Sequence, residues 1–291
     1  MEDATIKIDD SSNKRAKGKR SVSRIIMYSI LILLTCIQLF PLVWLVDFSL
    51  NKNGDLFGKY ILKWPNPPQF SNYVTAWVDG NIGRFFLNSV IVNGATVVIT
   101  TVLVLTMSFA FTRMEWKLRG LVFNIVLLGL MIPIHVTLLP NFFTFKAVGV
   151  RDSYLGLIIP YVAFSIPFGV FLMSSFIETS PKAIQEAAVI DGCNIWTIIF
   201  RIIMPLTKPA IVTVVVTTFL NSWNEFIMAA TYLTSNAFRT LPFAVYNFAG
   251  QYASEYAIQF AVMTLTAIPS LVVYIILNEQ ITKGVTFGAV K

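Results

Sequence analysis

The side chains best suited to binding a solute lie in one apolar stretch, about residues 209–232. Glu225 is the only acidic residue well inside an apolar block, and Asn221, Trp223 and Asn224 lie close to it along the chain. Polar groups are costly inside an apolar span, so their presence suggests a function. Together they offer hydrogen bonds and a flat stacking surface. The structural alternative is that Asn224 and Glu225 end a helix or hydrogen-bond a neighbouring helix.

Other kinds of chemistry find little support. His135 is the only histidine, and Cys36 and Cys193 are far apart without a CxxC motif, which disfavours a zinc or disulfide framework. H-E-x-x-H, G-x-S-x-G and paired intramembrane aspartates do not occur, which disfavours a membrane-embedded enzyme. The P-loop motif G-x-x-x-x-G-K-[ST] is also missing, so the chain does not bind nucleotide phosphate through a P-loop. We therefore expect no catalytic residue, no metal site and no cofactor bound by this chain.

The composition is that of a membrane protein. Of 291 residues, 56% are hydrophobic and only 13% are charged, whereas soluble domains carry about 25% charged residues. The apolar residues form long uncharged blocks, and about 20 such residues cross a membrane as a helix. We expect an all-α polytopic fold with about six transmembrane helices: Ile25–Val46, Phe85–Thr112, Gly120–Phe142, Tyr154–Ile177, Pro209–Tyr232 and Tyr256–Asn278.

The basic residues predict the orientation. If the N-terminus is inside, the inner segments carry 15 Lys and Arg against 7 in the outer segments. Cytoplasmic segments carry such an excess, so both termini are expected in the cytoplasm. The predicted divisions are a basic tail over 1–24, a membrane domain over 25–280 and a cytoplasmic tail over 281–291. The cations of the first tail suit contact with anionic lipid rather than nucleic acid, because the others are spread over loops.

The segment 178–205, between the fourth and fifth spans, predicts a helix–turn–helix on the cytoplasmic face. Ser180 is a good N-cap, Pro181 suits the first helical position, and Gly192 suits a left-handed helix end. Asn194 can cap a second helix, which a later proline should end.

The first of these two helices has a small-residue side. Ala183, Ala187 and Ile190 share one side, and the pair Ala187-Ala188 permits close approach of a partner. The alternative is an interfacial amphipathic helix that only anchors to lipid.

The same segment carries a long spaced pattern. Its members are Glu186, Ala187, Ala188, Asp191, Gly192, Ile202 and Pro205. The pattern resembles the EAA loop of ABC importer permeases, which is EAA, three residues, G, nine residues, I, one residue and LP. Only Met204 departs from it, in place of leucine. Met131–Pro133, Asn221–Phe226 and Thr240–Pro242 resemble the smaller permease of the maltose-type carbohydrate-uptake branch, and the resemblance covers about residues 25–291.

The resemblance implies a type I ABC importer permease, a non-catalytic subunit of a bacterial-type cytoplasmic (inner) membrane. Implied partners are a second homologous permease, two cytoplasmic ATPase subunits that bind ATP and Mg, and an extracellular or periplasmic sugar-binding protein. Within the implied coupling loop, Glu186 makes the polar contact with the ATPase, Ala187 and Ala188 pack closely against it, and Gly192 forms the turn.

The sequence leaves two alternatives open. An ion-coupled secondary transporter needs intramembrane groups that carry the ion, and only Glu225 and His135 are candidates. An importer of another polar solute, such as glycerol phosphate, would call for a lysine or arginine in the path. None lies inside a predicted span. Sugars are bound by hydrogen bonds and aromatic stacking, so the cluster around Glu225 favours a neutral sugar.

Overall fold

The computed structural model describes residues 10–55, 64–248 and 255–289, and helices are the regular elements of these ranges. In chain order they are α1 (Asp10–Ser49), α2 (Ser71–Asp79), α3 (Ile82–Arg113), α4 (Arg119–Leu128), α5 (Leu138–Ala147), α6 (Leu155–Thr179), α7 (Lys182–Ile190), α8 (Ile195–Thr197), α9 (Met204–Leu206), α10 (Lys208–Trp223), α11 (Ile227–Tyr232) and α12 (Tyr256–Ala289). A π-helical turn, Ile198–Ile203, joins α8 to α9, and a 3₁₀ segment, Leu241–Phe248, precedes α12.

Four described helices are long and apolar enough to cross a membrane, and they match four of the predicted spans. They are Arg24–Ser49, Ile82–Arg113, Leu155–Thr179 and Tyr256–Leu277. Up to six spans result if two bent helix pairs each count as one. The prediction of an all-α polytopic fold is therefore confirmed.

The remaining two predicted spans are not continuous helices, and their predicted bounds are corrected. The stretch Gly120–Phe142 breaks at Ile132-Pro133, where the chain turns by 94°. Proline lacks the N–H that would continue the helix, and it restricts the residue before it. The stretch Pro209–Tyr232 breaks at Asn224–Phe226, between α10 and α11. A second sharp bend of 85°, at Thr207, separates Ile195–Leu206 from α10.

The two predicted tails are continuous with membrane helices where the structure describes them. Helix α1 begins at Asp10, within the basic segment 1–24, and α12 runs on to Ala289, through most of 281–291. Residues 1–9 and 290–291 lie outside the described residues.

The bundle has two ends, which the contacts define. At the loop end, Arg113 of α3 and Ile177 of α6 meet residues 178–205. At the opposite end, the start of α3 contacts the segment 233–248. Helix α1 touches the bundle near this opposite end, where Trp44 and Phe48 pack on Phe260 of α12; most of its apolar side chains before Trp44 are exposed.

Helices α3 and α6 form the closest packed pair around the centre. A Cβ added at Gly169 of α6 would lie 2.5 Å from Cγ2 of Val104 on α3, and Val104 is fully buried. Glycine at position 169 therefore permits the close approach of the two helix backbones, as small residues do in membrane bundles.

We predict that Gly169→Ala lowers the free energy of unfolding by about 1–3 kcal/mol, because the new methyl group overpacks the contact with Val104. Thermal unfolding in detergent measures the change. Gly94→Ala on α3 is the matched control, since a Cβ there meets nothing within 4 Å, and it should be neutral or stabilising. Adding Val104→Ala to Gly169→Ala should recover part of the loss. Equal effects at positions 94 and 169 would contradict the prediction.

Candidate functional site

The loop 178–205 folds as the predicted pair of helices, with two corrections. The second helix does not end at Pro205, because it continues through the π-helical turn and α9 to Leu206, and the chain bends only at Thr207. The other correction concerns the start of the loop. Helix α7 is capped at Pro181 with no side-chain hydrogen bond, and the Ser180 hydroxyl donates back to the Phe176 carbonyl instead. Gly192 ends α7 with φ +78°, the left-handed conformation expected of it. Asn194 caps the second helix as predicted, because its Oδ1 accepts the Thr197 backbone N–H at 2.9 Å.

Helix α7 presents a small and apolar side to its surroundings. Ala183, Ala187 and Ile190 are exposed, and Ile190 retains 86% of its accessible surface. Glu186 is exposed beside them. The arrangement offers a carboxylate next to a shallow apolar surface, which suits a protein partner with a complementary groove.

The pair Ala187-Ala188 divides between two surfaces, which corrects the prediction that both alanines face a partner. Ala188 is 5% exposed and packs inside the chain with Ile198, Ile199 and Ile203. Consecutive residues on a helix point about 100° apart, so one alanine faces outward and its neighbour faces inward. Of the other pattern residues, Ile202 is partly buried against this core, whereas Asp191 and Pro205 are exposed.

Arg113 ties the loop to two membrane helices, a role that the sequence pattern did not indicate. From the end of α3, its Nη2 donates to the carbonyl oxygens of Ile177 at 2.5 Å and Ser180 at 2.6 Å. The cation thus lies at the C-terminal end of α6, where the helix dipole and unpaired carbonyl groups favour it. Ser180 directly precedes Pro181, so this contact fixes where α7 begins.

At the opposite end, Glu225 organises the break between α10 and α11. Its Oε1 accepts the Met228 backbone N–H at 2.8 Å, and its Oε2 accepts the Ala229 backbone N–H at 3.3 Å. The Tyr161 hydroxyl of α6 donates to Oε2 at 2.7 Å. The carboxylate therefore caps α11 and joins it to α6, which is the structural alternative that the sequence left open.

A polar cavity of about 410 Å³ lies beside this carboxylate. Its polar lining comes from α6, α10 and the breaks before α5 and after α10: His135, Tyr161, Ser165, Asn221, Ser222 and Glu225. Tyr161 and Ser165 were not expected here, although their spacing of four residues on a helix places them on one side. Among the described residues, no lysine or arginine lines this cavity.

The four predicted path residues separate into three environments. Asn221 and Glu225 line the polar cavity, whereas Asn224 lines a different groove. Trp223 is 2% exposed, and its Nε1 donates to the Thr266 carbonyl on α12 at 3.3 Å. Its ring therefore offers no free face to a solute in this structure, because it packs against Phe219 of α10, Phe86 of α3 and helix α12.

Two asparagines of α3 join this helix to neighbouring parts of the bundle. Asn88 donates to the carbonyl oxygens of Ala237 and Arg239 at 2.9 Å, and its Oδ1 accepts the Tyr154 hydroxyl at 2.8 Å. Asn93 accepts the Ser222 hydroxyl at 2.5 Å. Their side chains are therefore engaged within the protein.

Asp152 fixes the segment after α11 at this end. It has φ +58°, and its Oδ1 accepts the backbone N–H groups of Thr234 and Ser235 at 2.8 and 2.9 Å. Partial burial alone would raise the pKa of Asp152. The hydrogen bonds from Ser235 and Thr234, with the nearby Arg151 cation, outweigh it and hold the pKa below its usual value of 3.8.

The fold that holds these two sites is also found in a chain of a bacterial ABC importer. A solved chain of a bacterial ABC transporter that imports alginate has the same fold, with a TM-score of 0.78 over 90% of this chain and 97% of that one, at 19% identity.

Comparison with protein families identifies the family. The model of binding-protein-dependent transport system inner membrane components matches residues 102–287, and the chain belongs to this family. A putative ABC transporter permease of a Caldicellulosiruptor species is 33% identical, covering 86% of this chain and 91% of that protein. A diacetylchitobiose uptake system permease of Streptomyces coelicolor is 32% identical, covering 90% and 87%.

We predict that Arg113→Gln loosens the start of α7. A hydrogen bond to a charged group contributes about 1.5–3 kcal/mol, so amide hydrogen exchange near residues 180–184 should accelerate roughly 10- to 100-fold by local opening. Arg113→Lys should accelerate exchange by an intermediate factor, because lysine keeps the charge but lacks the planar guanidinium with several N–H donors. Arg119→Gln is the matched control, since exposed Arg119 bonds only the nearby Met114 carbonyl. Unchanged amide exchange near residues 180–184 in Arg113→Gln would show that Arg113 does not hold the start of α7.

We predict that Asp152→Asn releases residues 233–236 at neutral pH. Asparagine tolerates the left-handed backbone but lacks the charge that strengthens both N–H bonds. Exchange of these amides should rise several-fold, whereas Asp79→Asn, an exposed carboxylate at the end of α2, should change nothing there. In the wild type, the Asp152 carboxylate contributes fully to the hydrogen-exchange protection of residues 233–236 above the unfolded pKa of about 3.9. This contribution is lost as pH falls through the lowered folded pKa. Exchange protection of residues 233–236 that stays constant below the folded pKa would contradict the role of Asp152.

Proposed function

We propose that this chain is the permease subunit through which a binding-protein-dependent ABC importer passes a neutral sugar or oligosaccharide. In this proposal it couples to a cytoplasmic ATPase through the loop 178–205 and has no catalytic residue of its own. A second homologous permease, two ATPase subunits that bind ATP and Mg, and an extracellular or periplasmic binding protein complete the assembly.

The observation that carries the coupling role is the two-sided packing of the loop. One side of α7 exposes Glu186 and Ala187, and the other buries Ala188 in the membrane bundle's own core. A partner that grips the exposed side therefore moves a rigid unit, since Arg113 and the packed isoleucines of the π-helical turn connect it to α3 and α6. A helix that only lay on lipid would not need this connection.

The polar cavity supports a neutral solute. Its described lining offers hydroxyl, amide, imidazole and carboxylate groups without a lysine or arginine. A phosphorylated solute such as glycerol phosphate would call for a cation there. Several relatives are named as permeases for saccharides, including arabino-oligosaccharides in Bacillus subtilis and trehalose in Mycobacterium tuberculosis. Another, in Agrobacterium fabrum, is named for sulfoquinovosyl glycerol, which is anionic. The relatives therefore support a saccharide, and the cavity lining is what favours a neutral one. Family membership argues against the ion-coupled alternative.

Reconstitution of the whole assembly in proteoliposomes tests the proposal. Sugar-stimulated ATP hydrolysis and sugar uptake should require the binding protein, both permeases and both ATPase subunits. Identification of the sugar that co-purifies with the binding protein names the solute. Uptake that persists without the ATPase subunits but collapses with an ion gradient would refute the proposal.

We predict that Glu186→Lys reduces sugar-stimulated ATP hydrolysis and uptake by at least tenfold, because reversal of an interfacial charge costs several kcal/mol. The chain should still reach the membrane and co-purify with the second permease, since Glu186 is exposed. Glu178→Lys is the matched control: it is also exposed, but it lies at the end of α6. Full coupled activity in Glu186→Lys, or equal losses in both variants, would count against docking at α7.

A further inference from the structure

A second groove lies on the other side of the α10–α11 break from the polar cavity. Its volume is about 370 Å³, within the range of small-molecule sites. We call it the aromatic groove, and its walls are the break, the 3₁₀ segment Leu241–Phe248 and the middle of α12. They include Asn224, Phe226, Tyr246, Met263 and Thr266. Asn224 and Glu225 are adjacent in sequence, so one short break separates the two spaces.

Three rings lie beside this groove, and Tyr246 stacks with the other two. The centroids of Phe226 and Tyr246 are 5.0 Å apart at 16°, and those of Phe243 and Tyr246 are 5.6 Å apart at 24°. Phe226 and Phe243 are 6.1 Å apart and tilted by 33°. The three centroids therefore form a triangle, and Phe226 and Tyr246 are the two rings that line the groove.

Stacked rings also occur inside the bundle, where Phe219 and the buried Trp223 are 5.3 Å apart at 25°. The rings at the groove differ from that pair in their exposure. Tyr246 is 57% exposed, although its ring is large and apolar. The Arg239 guanidinium lies 3.9 Å from the ring centroid of Phe243. The cation therefore packs on one member of the cluster, while Phe226 and Tyr246 line the groove.

The polar groups of the groove are few and uncharged. Exposed Asn224 donates to the Leu220 carbonyl at 2.9 Å and accepts the Ser270 hydroxyl at 3.3 Å. An amide has two N–H donors and two acceptor lone pairs, so it has capacity for a ligand hydroxyl. No ionisable group other than Tyr246 is among the described lining residues. Ring faces beside one amide match the chemistry of a neutral pyranose, which presents a C–H face and hydroxyl edges.

We propose that the aromatic groove is a saccharide contact site, distinct from the polar cavity. A sugar ring packs its C–H face on Tyr246 and Phe226, and a hydroxyl at its edge hydrogen-bonds Asn224. This inference rests on the proposed function, because it takes the solute to be a neutral saccharide. Hydrocarbon is a poorer occupant, since Asn224 would then place an exposed amide in lipid.

Thiol labelling of the intact complex in proteoliposomes tests the site. The natural Cys36 and Cys193 are replaced by serine, and Ala267→Cys places a thiol in the groove wall. Asp79→Cys, at the exposed end of α2 and outside the predicted spans, is the control for reagent access. The probes are trehalose, raffinose and diacetylchitobiose, with uptake of each measured in parallel.

At least one imported saccharide should slow maleimide labelling at position 267 and leave labelling at position 79 unchanged. Tyr246→Ala should weaken this protection by about three- to tenfold, which corresponds to the loss of one aromatic contact. Tyr246→Phe should retain it, and so should Tyr274→Ala, which removes an exposed tyrosine of α12 that does not line the groove.

The outcomes separate the two proposals. Import of a saccharide without protection at position 267, or with protection that survives Tyr246→Ala, overturns the groove and leaves the importer intact. Loss of the second permease from the purified complex in Tyr246→Ala, with no change in protection, assigns the rings to a subunit interface instead. If the reconstituted complex imports neither the three probes nor the sugar that co-purifies with the binding protein, both proposals are refuted.

Discussion

The arrangement of both solute-sized spaces depends on the carboxylate of Glu225. A helix that breaks within an apolar segment leaves backbone N–H groups that hydrocarbon cannot satisfy, and each costs several kcal/mol if left unpaired. Glu225 accepts two of those N–H groups, from Met228 and Ala229, and so allows α11 to restart after the break. The bond from Tyr161 then fixes the break against α6. The polar cavity and the aromatic groove lie on either side of the point thus fixed.

Within the proposed importer, this use of Glu225 lets one residue serve both the packing of the helices and the solute path. Its oxygens are engaged by the protein, but the side chain still lines the polar cavity. A solute would meet a carboxylate that is already oriented, next to the Asn221 amide and the Ser165 hydroxyl. Preorganised polar groups lose little on binding, because their positions are held by bonds made in the empty state. A structural role for Glu225 therefore supports a role in the solute path.

The sequence predicted local features well and the direction of side chains poorly. The left-handed Gly192, the cap by Asn194 and the start of α10 at Lys208-Pro209 each follow from one or two residues' own backbone preferences. The break at Asn224–Phe226 was expected only as a helix end, because polar residues mark a boundary without giving its angle. The burial of Ala188 and Trp223 depends on which neighbours lie beside each helix face, which no spacing pattern encodes. The same limit hid Arg113, whose partners are carbonyl groups far along the chain.

In the proposed importer, the contacts at the two ends of α6 and α10 account for how movement at the loop reaches the cavity. The loop 178–205 continues directly from α6 and leads into α10, and its buried isoleucines pack on both helices. At the opposite end, the Tyr161–Glu225 bond joins α6 to the break that follows α10. Two helices connected at both ends tilt together rather than slide independently. A displacement of α7 therefore changes the position of the cavity walls as a unit, and the bends at Thr207 and Pro133 are the points where the surrounding chain can yield.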